Sequence, residues 1–193
     1  MHAFSRLATF LLFVLSLSIF ATALPAPGTS GALSARDSKC EALLGAVVEL
    51  KGNVDTCISV IAKAEAVADA KAQLNLMVGH IESTAHAITA IGPIRDMDAV
   101  VKADIAAKIA AIVAVVLKAC LKLSIKFGTQ VLVDLFAKVD VVLKLLLVNI
   151  GACVDGLAVL VDQIVVTTCA HIIVDLKFHL CADALAAVGI LLN

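Results

Sequence analysis

The sequence predicts an all-α fold, a disulfide-linked bundle of five to six amphipathic helices. Apolar residues recur in alternating steps of three and four along much of the chain, which is the seam of a bundle helix. Acid–lysine pairs recur at the i,i+4 spacing that stabilises a helix, and strand-like alternation bounded by hairpin turns does not occur. Six cysteines, behind a segment typical of secretion, predict the disulfides.

The composition is strongly apolar and nearly neutral. Hydrophobic residues make up 62% of the 193 residues, only 4% are aromatic, and the formal net charge is −1. Because Lys and Arg are not in surplus, the chain cannot displace many counterions from phosphates, so nucleic-acid binding is not expected.

The start of the chain predicts secretion. Residues 1–23 contain Arg6, an uncharged apolar run and small residues at 21 and 23, which is the pattern of a cleaved signal peptide. An uncleaved signal anchor is the alternative. Residues 24–38, rich in Pro, Gly and Ser, are predicted to form a flexible arm in which Arg36 is a candidate processing site.

The remaining residues, 39–193, are predicted to form a single helical domain with a more charged half (39–104) and a hydrophobic half (105–193). The seam predicts a first helix over 39–68, and a one-residue slip in its periodicity predicts a kink or turn at 69–73. The second helix is expected to end at Gly92-Pro93, because Pro cannot continue a helix.

Three further stretches complete the predicted bundle. A third helix is expected from about Asp98 to Phe127, and Gly128-Thr129 provides a stop and a possible N-cap for a fourth helix over 131–149. After Gly151, a change of polar face predicts a break at Thr167-Thr168. Four i,i+4 pairs support the helices: Asp98–Lys102, Asp104–Lys108, Asp134–Lys138 and Asp140–Lys144.

Two helix faces are candidates for contact with an apolar–water interface. The third helix carries a basic stripe, which predicts either the solvated face of a bundle helix or lysines that extend from an adsorbed face toward water. The fourth helix has an unbroken apolar arc, opposite a half that includes Asp134, Lys138, Asp140 and Lys144. The stripe is Lys118, Lys122 and Lys126, and the candidate interfacial face is Leu132, Leu135, Phe136, Val139, Leu143 and Leu146.

A stable transmembrane span is not expected in the mature chain. A spanning helix needs about 20 apolar residues, whereas the longest charge-free stretch after the signal, 163–174, is shorter and contains His171. The alternative to a membrane span is that the helices of the hydrophobic half form a well-packed core.

The six cysteines are disulfide candidates rather than zinc ligands, because no C-x-x-C pair occurs. If 39–68 is one helix, Cys40 lies too far from Cys57 for a bond. We expect bonds between the two halves of the chain, and Cys153 could meet Cys181 if the chain doubles back at 167–168. The candidates are Cys40, Cys57, Cys120, Cys153, Cys169 and Cys181.

Neither a catalytic set nor a metal or cofactor site is predicted. His171, Asp175, His179 and Asp183 recur every four residues, but His171 and His179 would lie about 12 Å apart on one helix and could not share an ion. We interpret them as a polar stripe. The sequence lacks a G-x-S-x-G motif, and oxidised cysteines could not act as nucleophiles, so an enzyme is not expected.

The layout resembles a known family. DSKCEALLGAVVEL in the charged half, followed by VDVVLKLLLVNIGACVDG in the hydrophobic half, resembles the secreted non-hydrophobin cell-wall proteins of mushroom-forming fungi, which are implicated in aerial hyphae and attachment. The chain is similar, more loosely, to fungal hydrophobic-surface-binding proteins. The resemblance implies a structural role and names no functional residues.

We therefore expect a secreted structural protein of the cell wall or extracellular matrix that acts at hydrophobic–water interfaces. Its expected partners are hydrophobic surfaces, the wall matrix and other copies of itself. The alternative is a soluble secreted carrier of lipid or another apolar ligand, which would enclose a cavity between the same faces. A membrane-active secreted protein is a third possibility.

Overall fold

A computed structural model describes the backbone of residues 30–190 and the side chains of residues 38–185. The predicted signal peptide lies outside these residues. Residues 35–193 belong to one compact unit. The described residues form six helices: α1 (Ser30–Ile61), α2 (Val67–Ile91), α3 (Ala99–Phe127), α4 (Thr129–Cys153), α5 (Leu157–Leu176) and α6 (His179–Ile190).

The all-α fold class is confirmed. Between residues 30 and 190 the only strand-like feature is an isolated bridge between Ile94 and Val154. The six cysteine thiols are not joined by disulfides in this structure.

The first helix begins and ends earlier than the periodicity predicts. The segment predicted as an arm, 24–38, is helical from Ser30 onward. α1 stops at Ile61, where Ala64 N–H donates to the Ile61 carbonyl at 3.1 Å, so the turn lies at 62–66 and not at 69–73. Alternate alanines around this turn carry the apolar pattern past the true helix end, because Ala fits a helix and a turn equally well.

The ends of α2 and α3 agree with the predicted positions. Gly92, at φ 71°, ends α2, and its N–H donates to the Thr89 carbonyl at 3.2 Å. Asp98 caps α3, because its carboxylate accepts the backbone N–H of Val100 at 2.8 Å and of Val101 at 3.3 Å.

A single residue, Gly128, separates α3 from α4. Its φ of 87° lies in a region that favours glycine, and it is both the C-cap of α3 and the N-cap of α4. The predicted N-cap, Thr129, is instead the first residue of α4.

The predicted break at Thr167-Thr168 is wrong, since α5 runs through both residues. Their hydroxyls donate to carbonyls one turn earlier, Thr167 to Gln163 at 2.8 Å and Thr168 to Ile164 at 2.7 Å, which satisfies them inside the helix. The break occurs at Lys177, which adopts the left-handed conformation at φ 57°.

One core joins all six helices. The most extensive packing pairs α2 with α4 and α3 with α5, while α6 packs against α4 and α5. Phe178, just before α6, is buried and packs edge to face against Phe136 of α4, with ring centroids 6.3 Å apart. Buried side chains from successive helices include Leu43, Leu74, Ile105, Leu132, Leu157 and Leu185.

Of the four predicted acid–lysine pairs, Asp104–Lys108 is the one that forms an ion pair among the described residues. A further pair, Lys51–Asp55, forms on α1. Elsewhere the charged groups serve other partners: Asp98 caps α3, and Lys102 donates to the Asp155 carbonyl at 2.9 Å.

Candidate functional site: an apolar groove edged by lysines

The predicted basic stripe lines a groove between α1 and α3. Lys118, Lys122 and Lys126 are all exposed and lie on α3 at successive i,i+4 positions. The groove has a volume of about 420 Å³, which falls within the range of small-molecule sites. Its apolar lining comes from both helices and from the first residue after α1: Ile58, Ile61, Ala62, Val115, Ala119 and Leu123.

Lys126 fixes one end of this groove. Its Nζ donates to the Ala64 carbonyl at 2.6 Å, just beyond the end of α1, and lies 5.2 Å from the centroid of the Phe127 ring. A lysine that bonds the carbonyls at a helix C-terminus also complements the negative end of the helix dipole. Lys126 therefore joins the C-terminal ends of α1 and α3, and the groove runs back from this contact between two parallel helices.

Lys118 and Lys122 form no ion pair with the acidic groups of the described region, where the pairs are Lys51–Asp55 and Asp104–Lys108. The apolar residues that line the groove form its floor. The ammonium groups of Lys118 and Lys122 lie at the edge of this floor, and no neighbouring carboxylate in this part of the chain compensates their charge. This arrangement can accept an anionic group while the floor accepts hydrocarbon. Sequence periodicity found the stripe but missed the groove, because the approach of α1 to α3 is a long-range contact.

The candidate interfacial face of α4 lies in the core. Leu135, at 7% exposure, is the most exposed of its six residues, Leu132, Leu135, Phe136, Val139, Leu143 and Leu146. The opposite face of α4 also carries apolar side chains that solvent reaches. Val141 and Val148, both at 51% exposure, lie on this opposite face, while Val131 at 44% and Val133 at 51% lie on the flanks of the helix.

Asp140 does not lie on the solvent face of α4, which corrects the sequence interpretation. It is 6% exposed, and its carboxylate accepts the backbone N–H of Leu180 at 3.0 Å and of Cys181 at 2.7 Å. A carboxylate there stabilises the N-terminus of α6. The sequence spacing indicates that Asp140 is buried. Asp140 follows Phe136 by four residues and precedes Leu143 by three, so it belongs to the apolar seam of α4.

Five of the six cysteines are buried, and Cys40 is partly buried. Burial raises the pKa of Cys120 to about 12, and burial together with the nearby Asp140 carboxylate raises the pKa of Cys181 to about 12. Burial also raises the pKa of Cys153. The nearby Lys39 charge lowers this pKa and Cys40 raises it, so both residues lie within electrostatic range of Cys153. The thiols of Cys120 and Cys181 therefore stay protonated at neutral pH.

The polar stripe predicted in the last part of the chain is divided between two helices. His171 and Asp175 are exposed on α5, whereas His179 and Asp183 are exposed on α6. In the part of the chain that the structure describes, clusters of three or more His, Cys, Asp or Glu residues that could hold a metal ion do not occur.

One described helix, Leu157–Leu176, is long and apolar enough to cross a membrane on length and composition alone. Asp162, in its second turn, has a carboxylate oxygen that is buried without a hydrogen-bond partner, and burial raises the pKa of this group. Asp162 also lines a small groove between α5 and α6 with Val166, Ala170, Ile173, Val174, Ala182 and Leu185.

Comparison with known proteins found neither a matching family model nor a matching curated protein or solved structure.

Proposed function

We propose that this chain is a secreted structural protein of the fungal cell wall or extracellular matrix. It acts at hydrophobic–water interfaces, where it supports aerial growth and surface attachment by adsorption and self-association. The observation that carries the proposal is that α4 exposes valine side chains to solvent opposite its buried face, among the charged residues there. Its inner face lies in the core, Val141 and Val148 are exposed on the opposite face, and Val131 and Val133 are exposed on the two flanks between these faces.

The outer valines provide the first contact with an apolar surface. Val141 and Val148 are seven residues apart, so they lie one above the other on the helix and can meet a surface together. Exposed apolar groups that share one face mark interaction surfaces.

The inner face can follow once the bundle opens. Burial of one Leu, Val or Phe side chain stabilises by about 1.5–3 kcal/mol whether the new surroundings are a protein core or an apolar surface. Exchange of one for the other therefore costs little per side chain. Lys118 and Lys122 extend toward water in both states.

Surface tension at the air–water interface tests this proposal. The full-length secreted protein at micromolar concentration should lower the tension rapidly, and Val141→Lys/Val148→Lys should slow that fall. The matched control is Val48→Lys/Leu76→Lys, because these side chains are 52% and 51% exposed but lie on α1 and α2. A fall no faster than that of an ordinary globular protein, or equal slowing in both double variants, would refute the proposal.

We also propose that the secreted bundle is disulfide-linked, with Cys40 joined to Cys153. Both residues lie beside the end of α2. The Cys153 thiol donates to the Gly92 carbonyl at 3.2 Å, and Lys39, adjacent to Cys40, donates to the Pro93 carbonyl at 3.4 Å. This bond would join α1 to α4.

Cys57 and Cys120 form the second proposed pair. The Lys126–Ala64 hydrogen bond joins residues 62 positions apart, and the same offset places Cys57 level with Ala119, next to Cys120. Both cysteines are buried, Cys57 on α1 and Cys120 on α3. Cys169 and Cys181 remain, on the packed helices α5 and α6.

Each bond forms when two thiols lose two protons and two electrons to the disulfide of a secretory-pathway oxidoreductase, which is reduced to a dithiol. The bonds would keep α1 attached to the hydrophobic half when the bundle opens at a surface.

The second candidate function is a soluble secreted carrier of lipid or another apolar ligand. The groove between α1 and α3 favours it, because an open apolar floor of this size can hold hydrocarbon. Organic extraction of the purified secreted protein tests this candidate. Lipid recovered at a fixed ratio to protein supports a carrier, and its absence from repeated preparations counts against one.

A further inference from the structure

We propose that the groove between α1 and α3 binds a single-chain anionic amphiphile of the long-chain carboxylate class. Its hydrocarbon chain lies on the apolar floor, and Lys118 and Lys122 hold its carboxylate. This inference rests on the carrier candidate and is independent of the interfacial role.

The charge at the groove selects an anion. Lys126 is committed to the Ala64 carbonyl, whereas Lys118 and Lys122 have no carboxylate partner among the described residues. They are four residues apart on one helix face, so their positions differ by about 6 Å along the axis. Two flexible lysine side chains at this spacing can reach one carboxylate from the same side.

The floor selects the hydrocarbon. Ile58 and Ile61 line it from α1, Ala62 lines it from the turn that follows α1, and Val115, Ala119 and Leu123 line it from α3. A single furrow between two parallel helices is suited to one extended chain. Each methylene group that leaves water contributes about 0.8 kcal/mol, so the chain supplies most of the affinity.

The lysines supply orientation and selectivity. Exposed ion pairs each contribute about 0.2–1 kcal/mol, so loss of both lysines should weaken binding about five- to tenfold without abolishing it. An alcohol of the same chain length should bind correspondingly more weakly than the carboxylate.

Calorimetric titration of the full-length secreted protein with laurate, below its micelle concentration, tests the inference. Laurate should bind at a one-to-one ratio and more tightly than dodecanol. Lys118→Gln/Lys122→Gln should weaken laurate binding about five- to tenfold and leave dodecanol binding unchanged. The matched control is Lys138→Gln/Lys144→Gln on α4, outside the groove, which should bind laurate as the unmodified chain does.

A second variant tests the floor without altering charge. Ala62 is exposed at the groove, so Ala62→Trp should fill the floor, leave the bundle folded and abolish binding of both laurate and dodecanol.

The outcomes separate this inference from the proposed functions. Equal affinity for laurate and dodecanol would overturn the carboxylate assignment and leave the carrier candidate standing. Laurate binding that neither groove variant alters would place the ligand elsewhere and overturn the inference.

Absence of binding to both probes would refute the inference and the carrier together, while the surface-tension measurement would still decide the interfacial role. Binding to anionic lipid vesicles alone would indicate a membrane-facing stripe and would also overturn the groove assignment.

Discussion

Asp140 lies on the apolar seam of α4, and its carboxylate holds two backbone N–H groups of another helix, those of Leu180 and Cys181. A buried polar group that is fully paired specifies one arrangement of its neighbours, because any other arrangement leaves it unpaired. Asp140 therefore fixes the position of α6 against α4.

Asp140→Ala should lower the free energy of unfolding by about 2–3 kcal/mol, because it removes a charged acceptor and leaves two buried donors unpaired. Urea denaturation followed by circular dichroism measures this loss. Asp134→Ala, at an exposed position of the same helix, is the control and should change stability by less than about 0.5 kcal/mol. Equal losses in the two variants would contradict the capping role.

Asp162 should make stability depend on pH. Because burial raises its pKa above the ordinary value of 3.8, the folded chain keeps its proton over a range in which the unfolded chain has released it. The free energy of unfolding therefore falls as pH rises through that range. Asp162→Asn should thus be more stable, relative to the unmodified chain, at about pH 7 than at about pH 3. Thermal unfolding measures the difference, with exposed Asp175→Asn as control; identical pH dependence in both variants would contradict the prediction.

At the scale of the element, Lys177 is a strained end to α5. Its backbone is left-handed, and the N–H of Phe178 returns to the Ile173 carbonyl at 3.0 Å, which is the closing bond of a Schellman motif. The motif normally uses Gly, since a side chain is costly there. The buried Phe178 ring accounts for its formation without Gly, because the turn places that ring in the core.

Lys177→Gly should therefore raise the free energy of unfolding by about 0.5–1 kcal/mol, because it relieves the left-handed strain at an exposed position. Chemical denaturation measures the gain. Lys138→Gly, in the middle of α4, is the opposite control and should lose about 1 kcal/mol. A loss in Lys177→Gly would mean that the lysine side chain itself stabilises the turn.

Helix ends with a specific chemical signal could be predicted from sequence, and the others could not. Pro93 cannot continue a helix, Gly92 and Gly128 allow the positive φ at a helix end, and the Asp98 side chain caps a helix start, so the predicted ends hold. The turn at 62–66 and the continuity through Thr167-Thr168 could not be predicted, because alanine fits several conformations and threonine can bond within a helix. The groove beside Lys118 depends on which helices pack together, and periodicity contains no such information.

At the scale of the whole molecule, the proposed disulfides make α1 inseparable from the hydrophobic half. Peptide mapping of the secreted protein without reduction should identify Cys40–Cys153 and Cys57–Cys120. Reduction should lower the free energy of unfolding by about 2–4 kcal/mol for each bond. Cys40→Ser/Cys153→Ser should reproduce the loss of one bond. Recovery of a Cys40–Cys57 peptide would contradict the map and the continuity of α1.

The single-residue link at Gly128 limits the forms that an adsorbed layer can take. α3 and α4 contain 29 and 25 residues, so they are rods of about 43 and 38 Å with one pivot between them. If the bundle opens and both rods lie flat on a surface, the link keeps the end of α3 within one residue of the start of α4. The film would then be one helix thick, about 10–12 Å, whereas closed bundles would form a layer at least twice as deep. Ellipsometric thickness therefore distinguishes a spread protein from a packed one.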